Sequence, residues 1–387
     1  MDESILGVLA GAAEELKGIH RGKEYAFWRE DAAPRIDAAF RAIEPFRSFN
    51  RLWIQTGDGG YVQATARFGA WAIDKLVSRQ SPDEIASAFQ VEVSSNSAIY
   101  EDASPLVGVQ IDSDCQLTAG VTIAAEPGDD LARLSHMVPF QAMRLSPGTA
   151  VLRQSFSVTP AFEKLDHSID SPSGLAVTVP GRGERTRVRN YVRLACILSS
   201  VGPVELPHTQ LIPAEGALFA AGHGNMTSYP VGVHPVVAFP AEAAKVKYAF
   251  DALGSFGDVE SLGRSIDRLG RSRLSRSDVD RVIDLGMAAE IALMHDMSPS
   301  NTEISHKISS RAAWLLGSEP DDRAAIFRDM RELYNARSTA VHSGKLSAKS
   351  RLDIESADRL VSRALLAILG RGSFPDWNTL TLGFPAT

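Results

Sequence analysis

The sequence predicts a multidomain α+β protein: a mixed α/β domain with a mostly antiparallel sheet over residues 1–239, then an all-α bundle over 240–387. Three observations predict it. Between about residues 90 and 238, short β-rich runs alternate with Gly, Pro, Ser and Asp clusters, which supply turns. From about 240 almost to the end, apolar residues recur at helical spacing between capping and turn residues. The change of texture falls at one place, near 240, as a domain boundary would.

Composition narrows the functional classes. The 387 residues suffice for two or three domains with buried cores. A net charge of −7 excludes a general polyanion binder, so nucleic-acid contact would need local basic patches. The two cysteines, Cys115 and Cys196, lack CxxC partners, which argues against a zinc site and a disulfide framework. Two buried, reduced thiols are expected, with one disulfide between them left open. The apolar run 5–13 is flanked by Asp2, Glu3, Glu14 and Glu15, unlike the basic start of a signal peptide. No run approaches the ~20 apolar residues that span a bilayer. A cytoplasmic protein without a membrane partner, cofactor or metal is expected.

Taken in order, 2–18 and 33–47 read as amphipathic helices, the second with Ile36, Ala39, Phe40 and Ile43 on one side. TGDGG (56–60) reads as a hairpin-like turn and lacks the GK[ST] ending of a phosphate loop. Residues 67–79 return to helical spacing, and Ser81-Pro82-Asp83-Glu84 is a helix start. The expected β-rich runs are 90–94, 105–111, 120–125, 151–158, 175–179, 187–198 and 231–239. Within them, Arg185, Arg187, Arg189 and Arg193 alternate, so one strand face would be basic. A solvated edge strand is the favoured reading of that face, and contact with an RNA or ligand phosphate is the alternative. Helices are then expected at 241–254, 258–270, 278–296, 301–317, 321–342 and 351–370.

Three of these helices carry the candidate chemistry. In 279–294 the apolar face is Val279, Val282, Ile283, Met287 and Ile291, with Glu290 near it. A carboxylate there needs a partner such as a guanidinium unless it lies at the solvated margin. The helix 302–317 has its stripe at Ile304, Ile308, Ala312 and Leu315. The helix 323–342 has its stripe at Ile326, Phe327, Met330, Leu333, Tyr334 and Val341, with Arg337 on the same side. A permanently charged arginine there implies a carboxylate, a bound anion or a groove between chains. His342 follows about 140° further round. The break at Ser343-Gly344 would let it swing back from a frayed last turn. The spacing R-x4-H is a weak signal by itself.

SRSDVDRVIDLGMAAEIALM, TEISHKISSRAAWLLG and IFRDMRELYNARSTAVHSGK together resemble the Apea-like branch of the HEPN superfamily, through their order and the phrase Y-N-A-R-S-x-x-V-H-x-G. The resemblance covers about 110 residues. It implies an all-α HEPN bundle, a homodimer, and a metal-independent endoribonuclease in which two R-x4-6-H motifs share a cleft. Arg337 and His342 would be the catalytic pair, Glu290 and Asn335 supporting residues, and Tyr334 a shaper of the cleft. Ser338 departs from the Asn, Asp or His common after the family's arginine, though serine can still hydrogen-bond. The upstream basic stretch 263–277 brings Arg264, Arg268, Arg271, Arg273 and Arg276 beside this domain, and the last four would bind RNA, with tRNA among the candidate targets. By the same analogy the setting would be anti-phage defence or a toxin-type system. The N-terminal domain would answer a phage-derived or nucleotide trigger. Two other classes stay open: a dimeric module that binds RNA or a nucleotide without cutting, and a regulatory dimerisation scaffold.

Overall fold

The computed structural model describes residues 3–19, 23–42, 47, 52–55, 60–63, 68–126, 148–164, 181–214, 216–220, 223–226, 238–296, 303–347 and 351–382. The run 175–179, most of 231–239 and all but Gly60 of the TGDGG turn lie outside the described residues. The protein is mixed α+β, in two compact units drawn from interleaved stretches of chain. The first comprises Met1–Ala103, Arg153–Arg185 and Thr209–Asn225, and the second Ser104–Leu152, Thr186–His208 and Met226–Thr387. The second unit therefore includes two stretches from before residue 240, besides the helical C-terminal part.

The first unit holds helices α1 (Glu3–Lys17), α2 (Lys23–Ala42), α3 (Phe68–Val77) and α4 (Pro82–Ser95). Strands β1 (Leu52–Gln55), β2 (Tyr61–Gln63) and β8 (Phe162–Lys164) form an antiparallel sheet in the order β2-β1-β8. A second set runs β10-β9-β3-β7, from β10 (His223–Met226), β9 (His208–Pro213), β3 (Ala98–Pro105) and β7 (Val151–Val158). Its core is aromatic, with Phe68 5.9 Å from Phe40 and 5.6 Å from Phe89 between ring centroids. Backbones make room for these rings: Gly69 approaches Ala33 so closely that a Cβ would lie 2.0 Å from its carbonyl oxygen.

Two expected strands are helical. QVEVS (90–94) closes α4, because the capping box of Ser81 and Glu84 starts a helix that runs on to a left-handed cap at Asn96. The run 187–198 belongs to α5 (Arg182–Ser199), so its alternating arginines form no strand face. Val188, Val192, Ala195 and Cys196 are buried at helical spacing, and that period overrides the alternation. Arg185 lies buried in the first unit, over the ring of Phe156 and 3.6 Å from the Asp102 carboxylate.

In the second unit, β5 (Cys115–Thr118) and β6 (Val121–Ala124) form a hairpin. β4 (Val109–Ile111) pairs in parallel with β11 (Phe239–Ala241). The rest is helical: α6 (Ala243–Ser255), α7 (Val259–Leu274), α8 (Asp278–Leu293), α9 (Ile304–Leu316), α10 (Pro320–Ser343), α11 (Ile354–Leu369) and α12 (Trp377–Leu382). α7 packs on α8, α8 on α10 and α11, and α9 on α10. Gly270, where the expected helix 258–270 ends, lies inside α7 instead, where the lack of a Cβ admits Ile197. Both cysteines are free and buried, and burial pushes the Cys196 thiol up to about 12. No described helix is long and apolar enough to cross a membrane.

Candidate active site

The site begins with two helices that can approach closely. α8 starts at Ser277, whose side chain accepts from the Asp280 backbone. It buries Val282, Leu285, Gly286, Ala288, Ala289, Ala292 and Leu293. That is a smaller-residue face than expected. Ile283, Met287 and Ile291 are only part-buried, because α8 is packed by α7, α10 and α11 on its small side chains. α10 opens with Pro320, carries Asp321 and Asp322 in its first turn, and buries Ile326, Met330, Leu333, Ala336 and Ala340. Val341, expected on this stripe, is 51% exposed, its place in the core taken by the two alanines.

Arg337 lies where α10 crosses Gly286. A Cβ at Gly286 would stand 2.5 Å from Arg337 Cγ and 2.7 Å from its Cβ, so glycine alone lets the arginine stem lie on α8. The guanidinium then reaches one turn along α8, where its Nη2 is 3.2 Å from Glu290 Oε2. Glu290 thus has the guanidinium partner that its place near an apolar face requires. The two side chains remain 23% and 34% exposed. The pair is close but not aligned: Arg337 Nε and Glu290 Oε2 are covered from solvent, and neither has a hydrogen-bond partner. Tyr334, one turn before Arg337, places its ring 5.6 Å from the guanidinium carbon. Burial raises its phenol above the usual range, Glu290 adds to this, and Arg337 opposes it.

The structure therefore unites Arg337, Glu290 and Tyr334. It does not unite the rest. α10 is regular through Ser343 and is capped by Gly344 at φ 68°, whose N–H donates to Ala340 O at 2.9 Å. The last turn is not frayed, so exposed His342 stays about 140° round the helix from Arg337. Asn335 is about 200° from Arg337 and accepts a long 3.5 Å hydrogen bond from Ser305 on α9. Ser338 is half-buried on α10, next to Arg337 in sequence and about 100° round from it. Gly286 was missed by sequence reasoning. Its signal was there: glycine inside a helix costs about 1 kcal/mol and asks for a packing reason.

The basic quartet on and after α7 separates into three kinds. Arg273 is not available to RNA: its side chain is 4% exposed, and it forks onto Asp358 at 2.8 and 2.9 Å. It also donates to Ile197 O, Ser200 O and Ser362 Oγ. Arg268 is half-buried and paired with Asp284 at 2.9 Å, about 240° round α8 from Glu290. Arg271 and Arg276 are exposed. α5 and α7 lie side by side, with Arg193 paired to Asp267, so two basic stretches distant in sequence meet here.

Among the described residues, no group of three or more His, Cys, Asp or Glu is arranged to hold a metal ion. No protein-family model matches the chain, and no curated protein or solved structure matches it either.

Proposed function

We propose that the second unit is a HEPN-type endoribonuclease that works as a homodimer and cleaves RNA without a metal. The observation that carries this reading is the state of Arg337, a guanidinium held near solvent by a carboxylate that leaves its Nε donor unused. A guanidinium near solvent that keeps a donor unused can take up a polar group of a ligand, a nucleotide among them.

The chemistry follows from the groups. The ribose 2′-oxygen attacks the adjacent phosphorus and loses its proton to one imidazole. The 5′-oxygen leaves with a proton from a second imidazolium, giving a 2′,3′-cyclic phosphate and a 5′-hydroxyl. Arg337 binds the phosphate and stabilises the charge that develops on its oxygens. General acid–base catalysis of this kind contributes ~10²–10⁴-fold. Each chain has one His342, turned away from its own Arg337, so the reading requires a second copy on a two-fold axis. Arg271 and Arg276 would add phosphate contacts. The first unit would act as sensor or restraint, in a toxin-type or anti-phage setting that rests on the HEPN resemblance.

The same divergence of His342 from Arg337 favours the second reading, a dimeric module that binds RNA or a nucleotide without cutting it. Incubation of tRNA or total RNA in excess EDTA separates the two. The first reading expects cyclic-phosphate ends, lost in Arg337→Ala and in His342→Ala. It also expects excess His342→Ala protein to suppress wild-type cleavage beyond dilution, because mixed dimers hold one imidazole. Binding without cleavage supports the module, and neither activity leaves a dimerisation scaffold.

A further inference from the structure

The unused valences of the Arg337–Glu290 pair define what would complete it. Arg337 Nε carries a hydrogen without an acceptor, and Glu290 Oε2, in ionic contact with Nη2, accepts no aligned hydrogen bond. The two atoms are near each other. Nη2 is 3.2 Å from Oε2, and Nε is about 2.3 Å from Nη2 within the rigid guanidinium. Nε therefore lies no more than about 5.5 Å from Oε2. A single oxygen placed about 2.8 Å from each atom can span that gap. The missing group must accept one hydrogen bond and donate another. A second carboxylate or a phosphate oxygen cannot donate, and an ammonium cannot accept. A hydroxyl does both, as does a water that a ligand hydroxyl can displace.

We infer that the Arg337–Glu290 pair reads a ribose 2′-hydroxyl, which accepts from Arg337 Nε and donates to Glu290 Oε2. This rests on the ribonuclease reading above and names the group recognised at that site. A phosphodiester held by the remaining amino hydrogens of Arg337 carries its 2′-hydroxyl on the adjoining ribose, within reach of the same side chain. Both atoms are covered in the free protein, but the side chains that bear them are 23% and 34% exposed. For the hydroxyl to enter, the Glu290 side chain must turn aside, and no aligned hydrogen bond of Oε2 has to be broken for it to do so. Glu290 is then a specificity residue that distinguishes RNA from DNA. When the hydroxyl turns to attack, its proton passes to the imidazole.

The test measures binding in the His342→Ala protein, so that nothing is cut. Three fluorescent oligonucleotides of one sequence are compared: ribo, 2′-deoxy and 2′-O-methyl. The methyl ether can accept from Arg337 but cannot donate to Glu290. The ribo form is expected to bind about tenfold more tightly than the 2′-O-methyl form, which loses one hydrogen bond, and at least about tenfold more tightly than the 2′-deoxy form, which loses both. Adding Glu290→Ala should bring the ribo and 2′-O-methyl forms within about twofold. Glu290→Gln, which keeps the shape, should reduce the preference to a few-fold, and it carries the test if the alanine variant does not fold. A tenfold preference for ribo over 2′-O-methyl that survives both Glu290 variants overturns the inference, as does no such preference in the His342→Ala protein. Wild-type cleavage that is lost in His342→Ala, found beside either result, leaves the ribonuclease reading standing. Absence of all RNA binding removes both.

Discussion

Arg273 and Arg337 are two arginines in the same unit, one buried and one partly exposed, each facing a carboxylate on a neighbouring helix, and they have opposite fates. Arg273 forks onto Asp358 at 2.8 and 2.9 Å, adds two backbone carbonyls and a serine, and is 4% exposed. Arg337 meets Glu290 at one corner only, at 3.2 Å, with its Nε lacking an acceptor and the facing oxygen held by charge without an aligned hydrogen bond. His208 stands further along the same scale, 8% exposed with no partner for either ring nitrogen. A fully paired buried charge braces a fold. A half-paired one near solvent is held ready for something else.

Removing the brace should cost most. Arg273→Ala strands Asp358 in the core, and urea unfolding should report a loss of about 3–5 kcal/mol. A loss as small as that of a surface pair would erase the distinction between the two arginines. Arg337→Gln should leave stability within about 1 kcal/mol, since the pair is partly exposed and unaligned. On the ribonuclease reading its effect belongs in the chemistry, where single-turnover cleavage should fall by about 10²–10³-fold.

Gly286→Ala sharpens the comparison from the other side. The new methyl meets the root of the Arg337 side chain, which cannot swing away, so overpacking of about 1–3 kcal/mol is expected together with lost cleavage. Gly270→Ala is the control. There the added carbon meets Ile197 Cδ1 at 2.7 Å, the mobile end of a side chain. The ~1 kcal/mol gain in helix propensity can offset that contact, and cleavage should persist.

His208→Leu should have the smallest effect, a stabilisation of about 1 kcal/mol near neutral pH from removing unpaired buried nitrogens. It should also alter the pH profile. Burial lowers the His208 pKa, so the folded state takes up its proton less readily than the unfolded one. Stability is then full above about pH 6.5 and falls as pH drops from there through the folded value. Thermal melts from pH 7.5 to 5 should show that fall flattened in His208→Leu.

The helices of the second unit were legible because their ends are local chemistry. Pro320 starts α10 and Gly344 caps it, at the breaks expected before residue 321 and after residue 342. The same applies to α4, whose start was read from Ser81 to Glu84, while its end was lost to a β-branched run. α5 was misread because arginines at alternate positions imitate a strand, and only the burial of Val188 and Val192 reveals the helical period. The demand of Arg337 for a carboxylate was also legible, since a permanent charge on an apolar stripe cannot stand alone.

What the sequence by itself determined was the mixed class, the run of capped helices after 240, and the need for a partner at Arg337. Each depends on residues within a few turns of one another or on the cost of burying a charge. Tertiary structure decided which arginine is a brace and which keeps a free donor, because that depends on Asp358 and Glu290 arriving from other helices. It decided the value of Gly286, which is only a poor helix residue until α10 crosses it. It also decided that His342 faces away from Arg337, because a regular last turn fixes the angle that a frayed one would have relaxed.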